Sequence, residues 1–168
     1  MKVVDINKAR YRSHVKKVIA GCIVFLTVGS LGLSQALIAV FPAEQGTHFH
    51  WNLLGVVVTA LTLLALLIKY KRHPFMTEVT YVWELKQAMN LVIRKMRKLK
   101  QASEAGDERA MQALQFYFDA ARQLAHLDDN VITLEHLAEE QRQLRSQAAS
   151  VGVNLDARCY RKEHLHDF

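Results

Sequence analysis

The sequence predicts an all-α membrane protein: a transmembrane helical hairpin of two spans, followed by a cytoplasmic bundle of about three amphipathic helices. Three observations predict it. Positions 18–41 and 51–68 carry no charged residue; basic residues crowd the chain just before the first run and just after the second; and from residue 69 onward apolar side chains recur at steps of three and four, with no sustained alternation. The 168 residues are 51% hydrophobic, with 22 Lys and Arg against 16 Asp and Glu and only two Pro and two Cys, which excludes collagen-like, disulfide-stapled and mostly disordered classes.

The first span, 18–41, is 24 residues long. As a helix it measures about 36 Å, enough to cross a hydrocarbon core of about 30 Å with some tilt. Thirteen of its residues are Val, Ile, Leu or Phe, which favour insertion by about 4–8 kcal/mol near the bilayer centre. The second span, 51–68, measures about 27 Å, with Phe49 and Trp51 placed as interfacial aromatics. A soluble helical hairpin is disfavoured, because the remaining 126 residues are too few to cover two uncharged helices. A cleaved leader ending near Ser34-Gln35-Ala36 is disfavoured too, since the apolar run exceeds the usual 7–15 residues.

Orientation follows from charge. Residues 1–17 hold Lys2, Lys8, Arg10, Arg12, Lys16 and Lys17 against Asp5, and Lys69, Lys71 and Arg72 follow the second span; the loop 42–50 has no Lys or Arg and one acid, Glu44. By the positive-inside rule both termini are cytoplasmic and the loop is outside. Pro42 and Pro74 fall just past the spans, where a helix ends at little cost. Segments are expected at 1–17 (basic, cytoplasmic), 18–72 (hairpin), 73–151 (helical domain) and 152–168 (a loosely held tail). Trp51, Lys69, Lys71 and Arg72 are the expected membrane-interface residues.

At heptad spacing the first span aligns Gly29, Gly32, Ala36 and Ala39, and the second Asn52, Gly55, Thr59 and Thr62. Small residues allow close helix packing where lipid removes the hydrophobic drive, so these eight are expected to form the contact. Gln35 and Asn52 are expected to face protein, since lipid gives them no hydrogen-bond partner. With no ionisable side chain in either span, helix packing is a better reading of these polar groups than a pore.

In the cytoplasmic part, Val82, Leu85, Met89, Val92, Met96 and Leu99 mark one helix of about 25 residues from Pro74 or Thr77. A break at 102–107 follows, with Asp107 as N-cap of a second helix carrying Ala110, Leu114, Tyr117, Ala121 and Leu124. Asp128-Asp129-Asn130 makes a turn, and Thr133 caps a third helix with Leu134, Leu137, Leu144, Ala148 and Val151, ended by Gly152. Each helix is expected to have one apolar face and none to be apolar all round. Charge is segregated: residues 69–100 hold nine basic and two acidic side chains, residues 101–168 seven basic and twelve acidic. Arg94, Lys95, Arg97, Lys98 and Lys100 are candidates for a partner or anion surface.

Motifs for chemistry are weak. His48-x-His50 lacks a third ligand, Cys159, His164 and His166 lack zinc spacing, and Asp128–Asn130 lacks the calcium-loop pattern. Cys22 falls in lipid and Cys159 in the cytoplasm, so no disulfide is expected. The stretch R-K-M-R-K-L-K suggests nucleic acid, but the acids that follow oppose it. No P-loop, dinucleotide glycine pattern, G-x-S-x-G or H-E-x-x-H occurs, so no catalytic residue, cofactor, metal or small-molecule substrate is expected and the chain reads as a non-enzyme.

The stretches N-K-A-R-Y-R (7–12), H-P-F-M-T-E-V-T-Y-V-W-E-L-K-Q (73–87) and L-D-D-N-V-I-T-L (127–134) resemble a family of small inner-membrane proteins of Gram-negative bacteria, known only as a domain of unknown function. The resemblance runs from the N-terminus to about Val151. It implies an inner-membrane location and a two-span plan, and no activity. The leading expectation is a membrane-anchored helical interaction or scaffold protein whose partners are the bilayer and another protein or a second copy. The alternatives are a small oligomeric channel or transporter subunit, with Gln35, Asn52, Thr59 and Thr62 facing a shared axis, and a regulator binding anionic lipid or nucleic acid through the basic helix.

Overall fold

The computed structural model describes residues 3–41, 48–130 and 134–168, apart from the side chain of His166. These residues form six α-helices and no strand: α1 (Lys8–Val40), α2 (Phe49–Tyr70), α3 (Thr77–Arg94), α4 (Met96–Glu104), α5 (Glu108–Asp128) and α6 (Leu134–Val151), with short 3-10 turns at Pro74–Met76, Ala157–Cys159 and Lys162–Asp167. Pro42, Glu44 and the expected cap Thr133 lie outside the described residues. The chain divides into two compact units, one of Ala9–Thr80 and one of Met1–Lys8 with Tyr81–Phe168. This division cuts across the segments read from composition, because residues 9–17 continue α1 as helix and residues 152–168 fold with the C-terminal helices.

In the first unit, α1 and α2 are long and apolar enough to cross a membrane. They touch along one seam. A Cβ placed on Gly29 would meet Thr59 Cγ2 at 2.7 Å, and one on Gly55 would meet the Ser34 amide nitrogen at 3.0 Å and the Ser30 carbonyl at 3.2 Å. Gly55 therefore sits against backbone, which cannot yield. Thr59 returns its hydroxyl to the Gly55 carbonyl at 2.7 Å, which satisfies the group without a partner across the seam. Ser34 Oγ donates to the Asn52 carbonyl at 3.4 Å.

The seam differs from the heptad expectation. Covered positions step by four, as Trp51, Gly55, Thr59 and Leu63 on α2 and Leu26, Ser30, Ser34 and Ile38 on α1. Packing along such rows is ridge-into-groove packing rather than the 3.5-residue period of a coiled coil. Accordingly Gly29, Gly55 and Thr59 are in the contact, whereas Gly32, Ala36, Ala39, Asn52 and Thr62 are rotated out to exposed positions, and so is Gln35. Gly32 has nothing within 4 Å of its would-be Cβ.

The second unit is built around α5. Residues 110–116 are buried on every side, so α5 is an internal helix over two turns rather than one with a single apolar face. It packs against α4, α6 and the Ala157–Cys159 turn. Two buried glutamines hydrogen-bond there, Gln112 through both its amide nitrogen and oxygen and Gln115 through its amide nitrogen alone, its Oε1 having no partner among the described residues. Gln112 donates to the Asn154 carbonyl at 2.7 Å and accepts from the Asp156 amide at 2.8 Å. Gln115 donates to both oxygens of Asp119, which also accepts from Gln141 of α6 at 3.0 Å. Gln141, at 2% exposure, takes the central buried place on α6, and Val151, expected on that face, is 51% exposed.

Asp107 caps α5 by accepting from the Ala110 amide at 3.0 Å, and Asp129 ends it in the left-handed region at φ 56°. Gly106 and Gly152 both take positive φ, at 87° and 76°, where a Cβ is disfavoured. The helix expected as one piece from Thr77 breaks at Lys95, whose φ of −112° and ψ of 9° are non-helical. Neither Gly nor Pro marks that break.

The segment 152–168 is not loose. Tyr160 is 1% exposed, its ring stacked on Phe116 at 4.2 Å and 11°, and Leu165 is 5% exposed. Burial pushes the Tyr160 phenol up to about 12, with Glu163 adding to the effect.

Two outcomes follow from this packing. Gly55→Ala is expected to destabilise the α1–α2 pair by about 1–3 kcal/mol through overpacking against backbone, while Gly32→Ala is neutral or slightly stabilising; thermal unfolding in a neutral detergent separates the two, and equal effects would refute the seam. Tyr160→Ala is expected to cost about 3 kcal/mol or more. A loss below about 1 kcal/mol in chemical denaturation would mean that the ring is not in the core.

Candidate functional site

The most specific stretch of the sequence, 73–79, builds a compact local structure in the Ala9–Thr80 unit. His73 accepts at Nδ1 from the Phe75 amide at 3.2 Å, and Pro74 occupies the first position of the 3-10 turn, where its missing N–H costs nothing. Thr77 returns its hydroxyl to the Pro74 carbonyl at 3.0 Å, and Thr80 donates to the Lys71 carbonyl at 3.1 Å. These bonds fold the chain sharply after α2 and start α3.

That turn presents Phe75 and Glu78 to the polar first third of α1. The Phe75 ring lies 4.3 Å from the His14 ring. Glu78 holds Arg10 Nε at 2.9 Å with one oxygen and His14 Nδ1 at 3.3 Å with the other. The Glu78 and His14 side chains are only 12% and 14% exposed, so the carboxylate is screened less than at an open surface. Its own backbone amide holds its pKa below the ordinary value, against the opposing effect of burial, with Arg10 and His14 lowering it further. The outcome is a buckle joining the residue-10 and residue-78 regions, and it explains why the helix of α1 extends ten residues below the apolar run.

The expected interface residues lie nearby in sequence. Trp51 stacks on Phe41 at 5.1 Å and 18°, so the two aromatics close one end of the α1–α2 pair. Lys69 sits over the Tyr70 ring at 5.9 Å; it and Arg72 are exposed, while Lys71 is half-buried.

In the other unit, Lys100 is tied to Glu140 of α6, and Lys95 Nζ donates to the Leu165 carbonyl. Arg94, Arg97 and Lys98 are exposed. Trp83, Leu91 and Ile93 of α3 are exposed as well, at 56%, 38% and 44%. A groove of about 600 Å³ runs between α3, α5 and α6, floored by Met89, Tyr117, Leu124 and Leu137, with Lys86 and Asp128 paired at its rim at 3.2 Å. The cation cluster was legible in the sequence. The buckle was not, because Arg10 and Glu78 are 68 residues apart and, although each lies in a stretch that carries the family resemblance, nothing in either stretch names the other as its partner.

A family model covers residues 1–165. The chain belongs to the DUF3087 family. Its description is a protein of unknown function (DUF3087). The DUF3087 match reaches beyond Val151 into the segment that carries Tyr160 and Leu165, which places that segment within the family's extent. No curated protein and no solved structure matches the chain.

The buckle has a signed pH dependence. A carboxylate with a lowered folded pKa contributes stability above its ordinary value and loses it as pH falls through the folded value. Glu78→Gln is therefore expected to cost about 1 kcal/mol at pH 7, with the difference from the unsubstituted chain disappearing below about pH 4.5. Thermal unfolding at several pH values reads both; a difference that grows on acidification would contradict the ion pair.

Proposed function

We propose that this DUF3087 chain is a membrane-anchored helical interaction protein of the bacterial inner membrane. α1 and α2 cross the bilayer as an antiparallel hairpin, both termini are cytoplasmic, and the helices from α3 onward form a cytoplasmic bundle that presents a surface to another protein. The observation that carries this reading is the lack of cover on the two apolar helices. Only 6% of the apolar window of α1 and 11% of that of α2 is buried within the chain, and Ile23, Val24, Val28, Leu31, Leu61 and Ile68 are 59–66% exposed. A core helix of a soluble protein would have these side chains covered.

The polar first third of α1 and the cations after α2 support the orientation, since both would lie on the cytoplasmic side. The inner-membrane assignment is supported by the resemblance of the 73–87 stretch. Anchoring raises the effective concentration of the bundle against other membrane-associated proteins, which is a positioning role rather than chemistry. The exposed Trp83 supports α3 as a contact element, because tryptophan is enriched among the side chains that carry binding energy, and Leu91 and Ile93 are exposed on the same helix.

Two measurements test this. Alkaline carbonate and urea are expected to leave the full chain in the membrane pellet, and tags on both ends are expected to resist protease added to spheroplasts; release, or cleavage of either tag, would reject the topology. A photo-crosslinker at Leu91 in living cells is expected to trap a second protein, where one at exposed Arg145 does not. Trapping of this chain alone would replace the hetero-partner with self-association.

A further inference from the structure

The break between α3 and α4 forms a cavity of about 290 Å³ walled by Arg94, Lys95, Arg97, Lys98 and Phe168. Four cations within five consecutive residues repel one another, and the arrangement needs a counter-charge. Among the described residues no side-chain carboxylate is paired with Arg94, Arg97 or Lys98. Two acids of the same unit are paired with other cations, Asp167 with Arg109 and Glu140 with Lys100, each at 2.5 Å. Lys95 Nζ donates to the Leu165 carbonyl, which also accepts from the Phe168 amide at 3.2 Å. Leu165 is itself buried, so these two bonds tie Lys95 and Phe168 to the core. No acidic residue occurs in the first turn of α4, where negative charge would be favoured and these cations are not.

We infer that this cavity is a binding site for a phosphate-bearing anion. Two guanidinium groups and two ammonium groups present more donors than one carboxylate can accept, whereas a phosphate offers several acceptor oxygens and up to two negative charges. Arginine forks grip such groups in a defined orientation, and lysines add charge. The phosphate can arrive as a soluble diphosphate or as the headgroup of an anionic lipid, and both present the same chemistry. This site goes beyond the proposed anchoring and does not depend on it.

The test uses the full chain in phosphatidylcholine nanodiscs, titrated with inorganic pyrophosphate by calorimetry at low salt. Saturable binding is expected, with Arg94→Gln/Arg97→Gln weakening it at least tenfold and Lys86→Gln, which removes a cation outside the cavity, changing it less than twofold. Repeating the titration with one third of the lipid replaced by phosphatidylglycerol separates the sources. Loss of pyrophosphate binding that persists at about 0.15 M ionic strength, where the surface charge of the disc is screened, identifies a lipid headgroup as occupant, and unchanged binding identifies a soluble phosphate; either supports the site. No saturable binding in either disc, equal weakening by both substitutions, or binding of a glutamate-rich peptide in place of pyrophosphate would overturn it. Far-ultraviolet circular dichroism of the double variant, unchanged from the parent, distinguishes loss of the site from loss of the fold.

Discussion

Two helices of this chain carry apolar side chains that no other described residue covers, and the remaining features follow from that constraint. Apolar surface left in water costs about 25 cal/mol per Å², so helices this exposed need a second solvent. In the proposed topology the bilayer fills that role, and lipid then removes the hydrophobic drive for α1 to touch α2. What remains is close packing. Gly55 against the Ser34 and Ser30 backbone, and Gly29 against Thr59, supply it, and no charged or strongly polar pair is needed to hold the seam.

Below the apolar run, the chain turns to different physics. The buckle of Arg10, His14, Phe75 and Glu78 uses charge and ring contact where α1 becomes polar. The C-terminal unit relies on bonded glutamines. Gln112, Gln115 and Gln141 fill buried positions that aliphatic residues usually take, and the amides of Gln112 and Gln141 fix neighbouring segments by direction as well as by contact. A buried amide that loses its partner costs about 1–3 kcal/mol, so such a core selects one arrangement.

How much of this was visible in the sequence depends on the range of the interaction. The two apolar helices were legible, since an uncharged run of 18 or more residues is a local signal. Local caps were legible too, in Asp107 and Gly152. The seam was half legible: Gly29, Gly55 and Thr59 are small residues at helical spacing, but the choice between a period of 3.5 and steps of four is set by how two helices cross, which neither sequence alone encodes. The break at Lys95 carries no Gly or Pro and gave no signal. Tyr160 was illegible for another reason, because its partner Phe116 is 44 residues away and its segment has no period to read. The same holds for Gln112, whose burial depends on the Asn154 carbonyl and Asp156 amide.

The most direct measurement is the environment of the uncovered face. Nitroxide labels at Ile23, Val28 and Leu61, introduced singly as cysteines into the full chain with Cys22 and Cys159 replaced, can be read by collision with oxygen and with a water-soluble nickel chelate in reconstituted bilayers. Labels in hydrocarbon show high oxygen and low nickel accessibility, deepest near the middle of each helix, and this is the expected result at all three positions. High nickel accessibility at these positions, or low accessibility to both quenchers, would place the faces in water or inside protein and contradict the membrane-spanning assignment.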